Sequence, residues 1–362
     1  MVADAVATAD AAIDIVGLDD VAAYLSNILA QVRALPDEAL HTRRFRIAGQ
    51  SISARFSDRE RASLYASRLP PAEDHPALSD SNFHVDVVET THLGWPAPAL
   101  LKVPNGDRRA FERTLERAGL RAVPPFSSRL WDVMDRSGNR AIQLSQSRRD
   151  YPEWDGGAPL RIALHWAALD RGLRLIHGAS LGHGDTAVLI TGPGGAGKSG
   201  TVLAGIAHGL RTVGDDYVVI EPGDPPIAWQ AYRLLKQDDA GIARLPGLAD
   251  RIVDRRLNWQ GKLEIDPESL FPGCLDERQT IRAIVVPKID GASRSVIEPI
   301  DHDQAFDALA RSTLQQFPAE QASGFLFCKR LARSLPCFGM SLSRDPGDVA
   351  TTLQAFLEGL SP

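Results

Sequence analysis

The chain has 362 residues, 44% of them hydrophobic and 24% charged, with a formal net charge of −6. These are values of a globular protein long enough for two domains, without the basic excess of a nucleic-acid binder. No apolar run approaches the roughly 20 residues of a membrane helix, and the Ala-rich stretch from Met1 to Asp14 has no Lys or Arg to start a signal peptide.

Val21, Leu25, Ile28, Leu29 and Val32 recur at helical spacing and predict an amphipathic helix over Leu18–Ala34, stopped near Pro36. Residues 1–40 are thus read as a tail and a helix that packs on the adjoining domain. Phe45–Ile47 and Ile52–Phe56 alternate around Gly49-Gln50, the pattern of a hairpin. Phe83–Val88 and Ile142–Gln146 read as further strands, and Arg108–Ala118 as a helix. Residues 41–150 are expected to form a small α+β domain that recognises the substrate. Tyr151–Pro159, rich in Gly and Pro, reads as a linker.

Beyond it, residues 156–362 alternate strand and helix signals, as an α/β domain does. Leu160, Ala163, Leu164, Ala167 and Leu169 form a helical stripe with Gly172 as its stop. Leu173–Leu181 and Thr186–Thr191 are apolar runs joined by a Gly-containing turn, a second hairpin. Tyr217–Ile220 and Ile281–Pro287 are strand candidates, and Asp301 with Gln304 marks a helix start. Cys274, Cys328 and Cys337 lack CxxC spacing, which points to buried thiols in a reducing cytoplasm.

Three stretches carry chemistry. Gly192, Pro193, Gly194, Gly195, Ala196, Gly197, Lys198 and Ser199 match GxxxxGK[ST], followed by Gly200. An apolar strand leads in and a helix with Val202, Leu203, Ile206 and Leu210 leads out. Glycines let successive N–H groups turn inward on phosphate oxygens, and the helix N-terminus adds positive charge. Lys198 is expected on the β- and γ-phosphates and the Ser199 hydroxyl on Mg2+. The second stretch is Asp215-Asp216, before an apolar strand. Paired carboxylates near a P-loop can ligate magnesium and take a proton, each raising the other's proton affinity; a polar turn is the alternative. The third is His177-Gly178, one strand before the loop. His177 is either packed in the fold or within reach of a phosphate or Asp216.

Taken together, His177-Gly178, the Gly192–Ser199 loop and Asp215-Asp216 resemble the catalytic domain of HPr kinase/phosphorylase. The resemblance implies a PEP-carboxykinase-like P-loop fold and ATP-dependent phosphorylation of a serine hydroxyl. It also implies Lys198 on phosphate, Ser199 and Asp215 at the metal, Asp216 as general base and His177 as a second active-site group. The family's signature loop carries a metal-ligating Glu and an Arg before a Gly. The matching stretch here, Asn258-Trp259-Gln260-Gly261-Lys262, has neither, and Lys262 stands as a substitute phosphate contact. Tyr232–Lys236, Ser312-Thr313-Leu314 and Leu335-Pro336-Cys337 resemble a looser group that includes lasso-peptide precursor kinases, with Lys236 a phosphate or substrate contact or a structural lysine.

The reading is a cytoplasmic Mg-ATP-dependent kinase acting on a serine of a small protein or peptide, with no nucleic-acid or membrane partner and with a homo-oligomer open. The alternatives are a small-molecule kinase of the same fold and a non-catalytic ATP-binding regulator.

Overall fold

The computed structural model describes residues 14–15, 17–72, 83–101, 108–123, 130–137, 139–317 and 320–360. The architecture is mixed α/β, in two compact units, Met1–Ala167 and Ala168–Pro362. Among the described residues, no helix is long and apolar enough to cross a membrane.

In the first unit six strands form one sheet, in the order His41–Ile47, Gln50–Phe56, Phe83–Glu89, Arg140–Ser145, Trp131–Asp135, Leu120–Val123. The first two pair antiparallel through the turn at Ala48-Gly49, in the register the alternation demands. The predicted N-terminal helix is observed over Leu18–Arg33. Its Val21, Leu25, Leu29 and Val32 join Phe111, Trp131, Ile142 and Leu144 in one core. The helix Leu18–Arg33 thus packs into the core of this unit, while residues 1–13 lie outside the described residues.

The stretch Tyr151–Pro159 also lies in the first unit. Asp155 is buried there, with Tyr65 donating its hydroxyl to Oδ2 at 2.5 Å and Arg61 Nη1 at 3.4 Å. Its glycines serve a short 3-10 turn, Asp155–Gly157, that brings this carboxylate inward.

The second unit is organised by one long strand, Arg278–Lys288. On one side it runs parallel to Thr186–Ile190. On the other it pairs antiparallel with Ile227–Gln230 at its start and parallel with Cys337–Ser341 at its end. Val296–Pro299 closes the far side by pairing with Cys337–Ser341. From Ile227–Gln230 the order continues to Tyr217–Glu221 and Arg174–His177, and from Thr186–Ile190 to Ala179–His183.

The expected strand Leu173–Leu181 is thus two strands. It breaks at Gly178, where a Cβ would come 3.1 Å from the Ile190 carbonyl oxygen. Arg174–His177 pairs with Tyr217–Glu221, and only Ala179–His183 forms the predicted hairpin with Thr186–Ile190. Apolar periodicity signals extension but does not say where a strand changes partner. The two halves are one residue apart in sequence and terminate the two ends of the strand order, so the path of strands closes on itself at Gly178. That corner carries His177.

Candidate functional site

The GxxxxGK[ST] stretch lies where its flanks direct it, between the strand Thr186–Ile190 and the helix Lys198–Ala207. Gly192, Gly195 and Gly197 have φ of +152°, +81° and +104°, which L side chains rarely adopt. Gly197 is doubly constrained, because a Cβ there would fall 2.4 Å from Leu342 Cδ1. The helix buries Val202, Leu203 and Ile206 in a core shared with Val188, Ile190 and Leu353. The loop is therefore fixed at both ends.

A cleft of about 220 Å³ opens over the loop. Gly194, Gly195, Gly197, Lys198, Ser199 and Gly200 line it, as do His177, Asp215, Asp216 and Lys262. Gly192, Pro193 and Ala196 do not. Instead the Gly192 and Pro193 carbonyls accept from Lys198 Nζ at 2.8 and 3.3 Å. Burial lowers the Lys198 pKa, against the nearby charges of Asp215 and Asp216, so the ammonium is held at a cost that an anion would offset.

Asp215 and Asp216 differ sharply. Asp215 is 1% exposed, and its pKa is raised by burial and then by Asp216, against a hydrogen bond from Ser199 and the charge of Lys198. Its Oδ1 is buried without a hydrogen-bond partner. A buried carboxylate oxygen left unpaired is costly, and its position beside the Ser199 hydroxyl suits a hard divalent cation with oxygen ligands. Ser199 and Asp215 therefore fit the expected magnesium pair.

Asp216 is engaged on both oxygens. His177 Nε2 donates to Oδ1 at 2.8 Å, and Lys236 Nζ donates to Oδ2 at 2.6 Å. Burial pushes its pKa up, but Lys236 and His177 outweigh it and hold this carboxyl well below the usual range. The mutual raising expected of the pair is thus seen at Asp215 only, because Lys236 forms an ion pair with Asp216, whereas Lys198 acts on Asp215 only through its nearby charge and does not outweigh burial. Lys236, read as a phosphate contact or a structural lysine, is the cation of that ion pair.

The Asn258–Lys262 stretch forms a tight turn. Asn258 Oδ1 accepts from the Gln260 and Lys262 amides at 2.9 and 3.0 Å, and Gly261 has φ +70°. The turn brings Gln260 and Lys262 to the cleft and leaves Trp259 exposed. Arg244, Arg344 and Gln237 line the same cleft and carried no signal in sequence, since isolated Arg and Gln residues are unremarkable until the chain folds. Ser312 stands out in sequence only as part of the Ser312-Thr313-Leu314 stretch; its Oγ lies 2.5 Å from His177 Nδ1.

No family model matches the chain, and no curated protein matches it. Among solved structures it is similar to the Hpr(Ser) kinase/phosphatase from Coxiella burnetii, at 14% identity and a TM-score of 0.29, over 52% of this chain and 98% of that one. At that level of superposition only the cleft's own residues bear on function.

Proposed function

We propose that this chain transfers the γ-phosphoryl group of Mg-ATP to a serine hydroxyl of a small protein or ribosomal peptide. One observation carries the reading: the loop's Lys198 and Ser199, the unpaired Asp215 Oδ1 and the Asp216–His177 pair all face one cleft. A PEP-carboxykinase-like arrangement belongs to the same proposal, supported by the hairpin before the P-loop and the strand Arg278–Lys288 parallel to Thr186–Ile190.

In this mechanism the loop amides and the helix N-terminus hold the phosphates. Lys198 gives up the Gly192 and Pro193 carbonyls for phosphate oxygens. A magnesium ion held by Ser199 and Asp215 would neutralise charge on those oxygens. Asp216 accepts the serine proton as the new O–P bond forms and the bond to the β-phosphate breaks, with ADP leaving. A carboxylate paired to an ammonium is a weak base, so Lys236 moving from Oδ2 to a phosphate would make Asp216 more basic as the substrate arrives. A Lys236→Met variant with wild-type turnover would remove Lys236 from this step. Acceptor recognition by the first unit is part of the proposal.

A second reading, a nucleotide-dependent regulator without transfer, is favoured by the same Lys236–Asp216 contact if it persists with ATP bound. The test is incubation with Mg-ATP and serine-bearing peptides, followed by intact-mass analysis and ADP measurement. A phosphorylated peptide supports the kinase. Tight ATP binding with neither product nor ADP supports the regulator.

A further inference from the structure

Two hydroxyls from one helix end hold His177. The helix His302–Leu314 ends in Ser312, Thr313 and Leu314. Ser312 Oγ lies 2.5 Å from His177 Nδ1, and Thr313 Oγ1 accepts from the His177 backbone N–H at 3.2 Å. Both residues are buried, with Ser312 7% and Thr313 1% exposed. A serine inside a helix commonly spends its hydroxyl on the carbonyl four residues back. Here Ser312 turns to the histidine 135 positions away in sequence.

The geometry dictates what each ring nitrogen does. Asp216, as a carboxylate, only accepts, so the nitrogen facing it at 2.8 Å must carry a proton. That fixes His177 as a donor through Nε2 and leaves Nδ1 to Ser312. Flipping the ring about its χ2 axis would remove Nε2 from Asp216 and Nδ1 from the hydroxyl. Tyr217 supports one face of the ring, with centroids 5.3 Å apart, and its own hydroxyl donates to Gln316 Oε1 at 2.9 Å just beyond the same helix.

We infer that Ser312 is a positioning residue for the candidate phosphotransfer site: it fixes the rotamer and tautomer in which His177 Nε2 donates to Asp216. Thr313 anchors the backbone of the same histidine, so the end of this helix sets the direction of the Asp216 carboxylate. The catalytic consequence rests on the phosphotransferase reading; the contact itself does not. A hydroxyl at 312 is the requirement, and threonine meets it.

The test uses the full chain with 15N-labelled histidine and long-range 1H–15N spectra, the His177 signals being identified by their loss in His177→Gln. Wild type should show a proton on Nε2 and a hydrogen-bonded Nδ1. Ser312→Ala should shift Nδ1 to its unbonded position or broaden the ring signals by exchange, and Ser312→Thr should restore them. In parallel, Ser312→Ala should lower kcat for transfer roughly ten- to hundred-fold, the scale of losing an outer partner of a reacting group, with ATP affinity unchanged and recovery in Ser312→Thr. A wild-type spectrum with an unbonded Nδ1, or a Ser312→Ala spectrum matching wild type, overturns the inference, and the wild-type arm stands even if Ser312→Ala does not fold. A hydrogen-bonded Nδ1 responding to Ser312→Ala in a protein that transfers no phosphoryl group would support the positioning and refute the kinase reading instead.

Discussion

Asp216 has a backbone φ of +75°, a left-handed conformation that Asp and Asn adopt more readily than other non-glycine residues. Asn is thus the substitution that tests its chemistry without adding backbone strain. Asp216→Asn should lower phosphoryl transfer by on the order of 10²–10⁴, the usual effect of removing a general base, while ATP affinity changes much less. Transfer at near wild-type rate would return Asp216 to a structural turn. Asp215→Asn should behave differently: its loss should be partly recovered by raising magnesium, because Ser199 and phosphate oxygens remain as ligands. Lys198→Ala should weaken ATP binding or abolish turnover with circular dichroism unchanged, and calorimetry giving wild-type affinity together with wild-type turnover would remove the lysine from the site.

Among the elements, the helix Lys198–Ala207 depends on a glycine outside the loop motif. A Cβ on Gly205 would lie 2.4 Å from Leu181 Cδ2, so the helix rests on the hairpin strand Ala179–His183 at the distance glycine permits. Gly205→Ala should destabilise by about 1–3 kcal/mol in denaturant titration, as overpacking does, and adding Leu181→Ala should recover part of it. If the two changes were simply additive, the close contact would not be limiting. The strand–loop–helix around Gly192–Ser199 was legible in sequence because every signal for it is local: an apolar run, glycines, then helical periodicity. The hairpin His41–Phe56 and the helix Leu18–Arg33 were legible for the same reason. The break at Gly178 was not, since it is set by strands that begin near residues 186 and 217. The Lys236–Asp216 and Ser312–His177 contacts were equally hidden. Side chains 20 and 135 positions apart meet only through the sheet and the helix that carry them.

At the scale of the molecule, two of the carboxyls buried in the first unit, Asp132 and Asp155, hold their protons more tightly than a free side chain does. Burial, then the charge of Asp155, raises Asp132 to about 7, and burial raises Asp155 to about 6 against Tyr65 and Arg61. In an unfolded chain both would titrate near 3.9. Between pH of about 4 and about 7 the unfolded chain therefore releases protons that the folded unit retains, so stability falls as pH rises across that window. The slope is at most about 1.4 kcal/mol per pH unit for each group. Asp132→Asn should unfold at the same denaturant concentration as wild type at pH 4 and at a higher one at pH 8. Coincident curves at pH 8 would mean that Asp132 is ionised at little cost.

The strand Arg278–Lys288 changes partner on one side, from Ile227–Gln230 to Cys337–Ser341, and keeps Thr186–Ile190 on the other. Each central amide is bonded to one neighbour, as Ile284 N–H is to the Pro336 carbonyl, and is covered by strands on both sides. Ile284 and Val285 lie in register with strands on both sides and are fully buried. Their amides should exchange with solvent deuterium only by unfolding of the whole unit, and so should report its global stability. Val296–Pro299, paired on one side only among the described strands, should exchange far sooner. The strand with partners along both of its edges is thus the last part of the second unit to open, and the P-loop strand beside it inherits that slow clock.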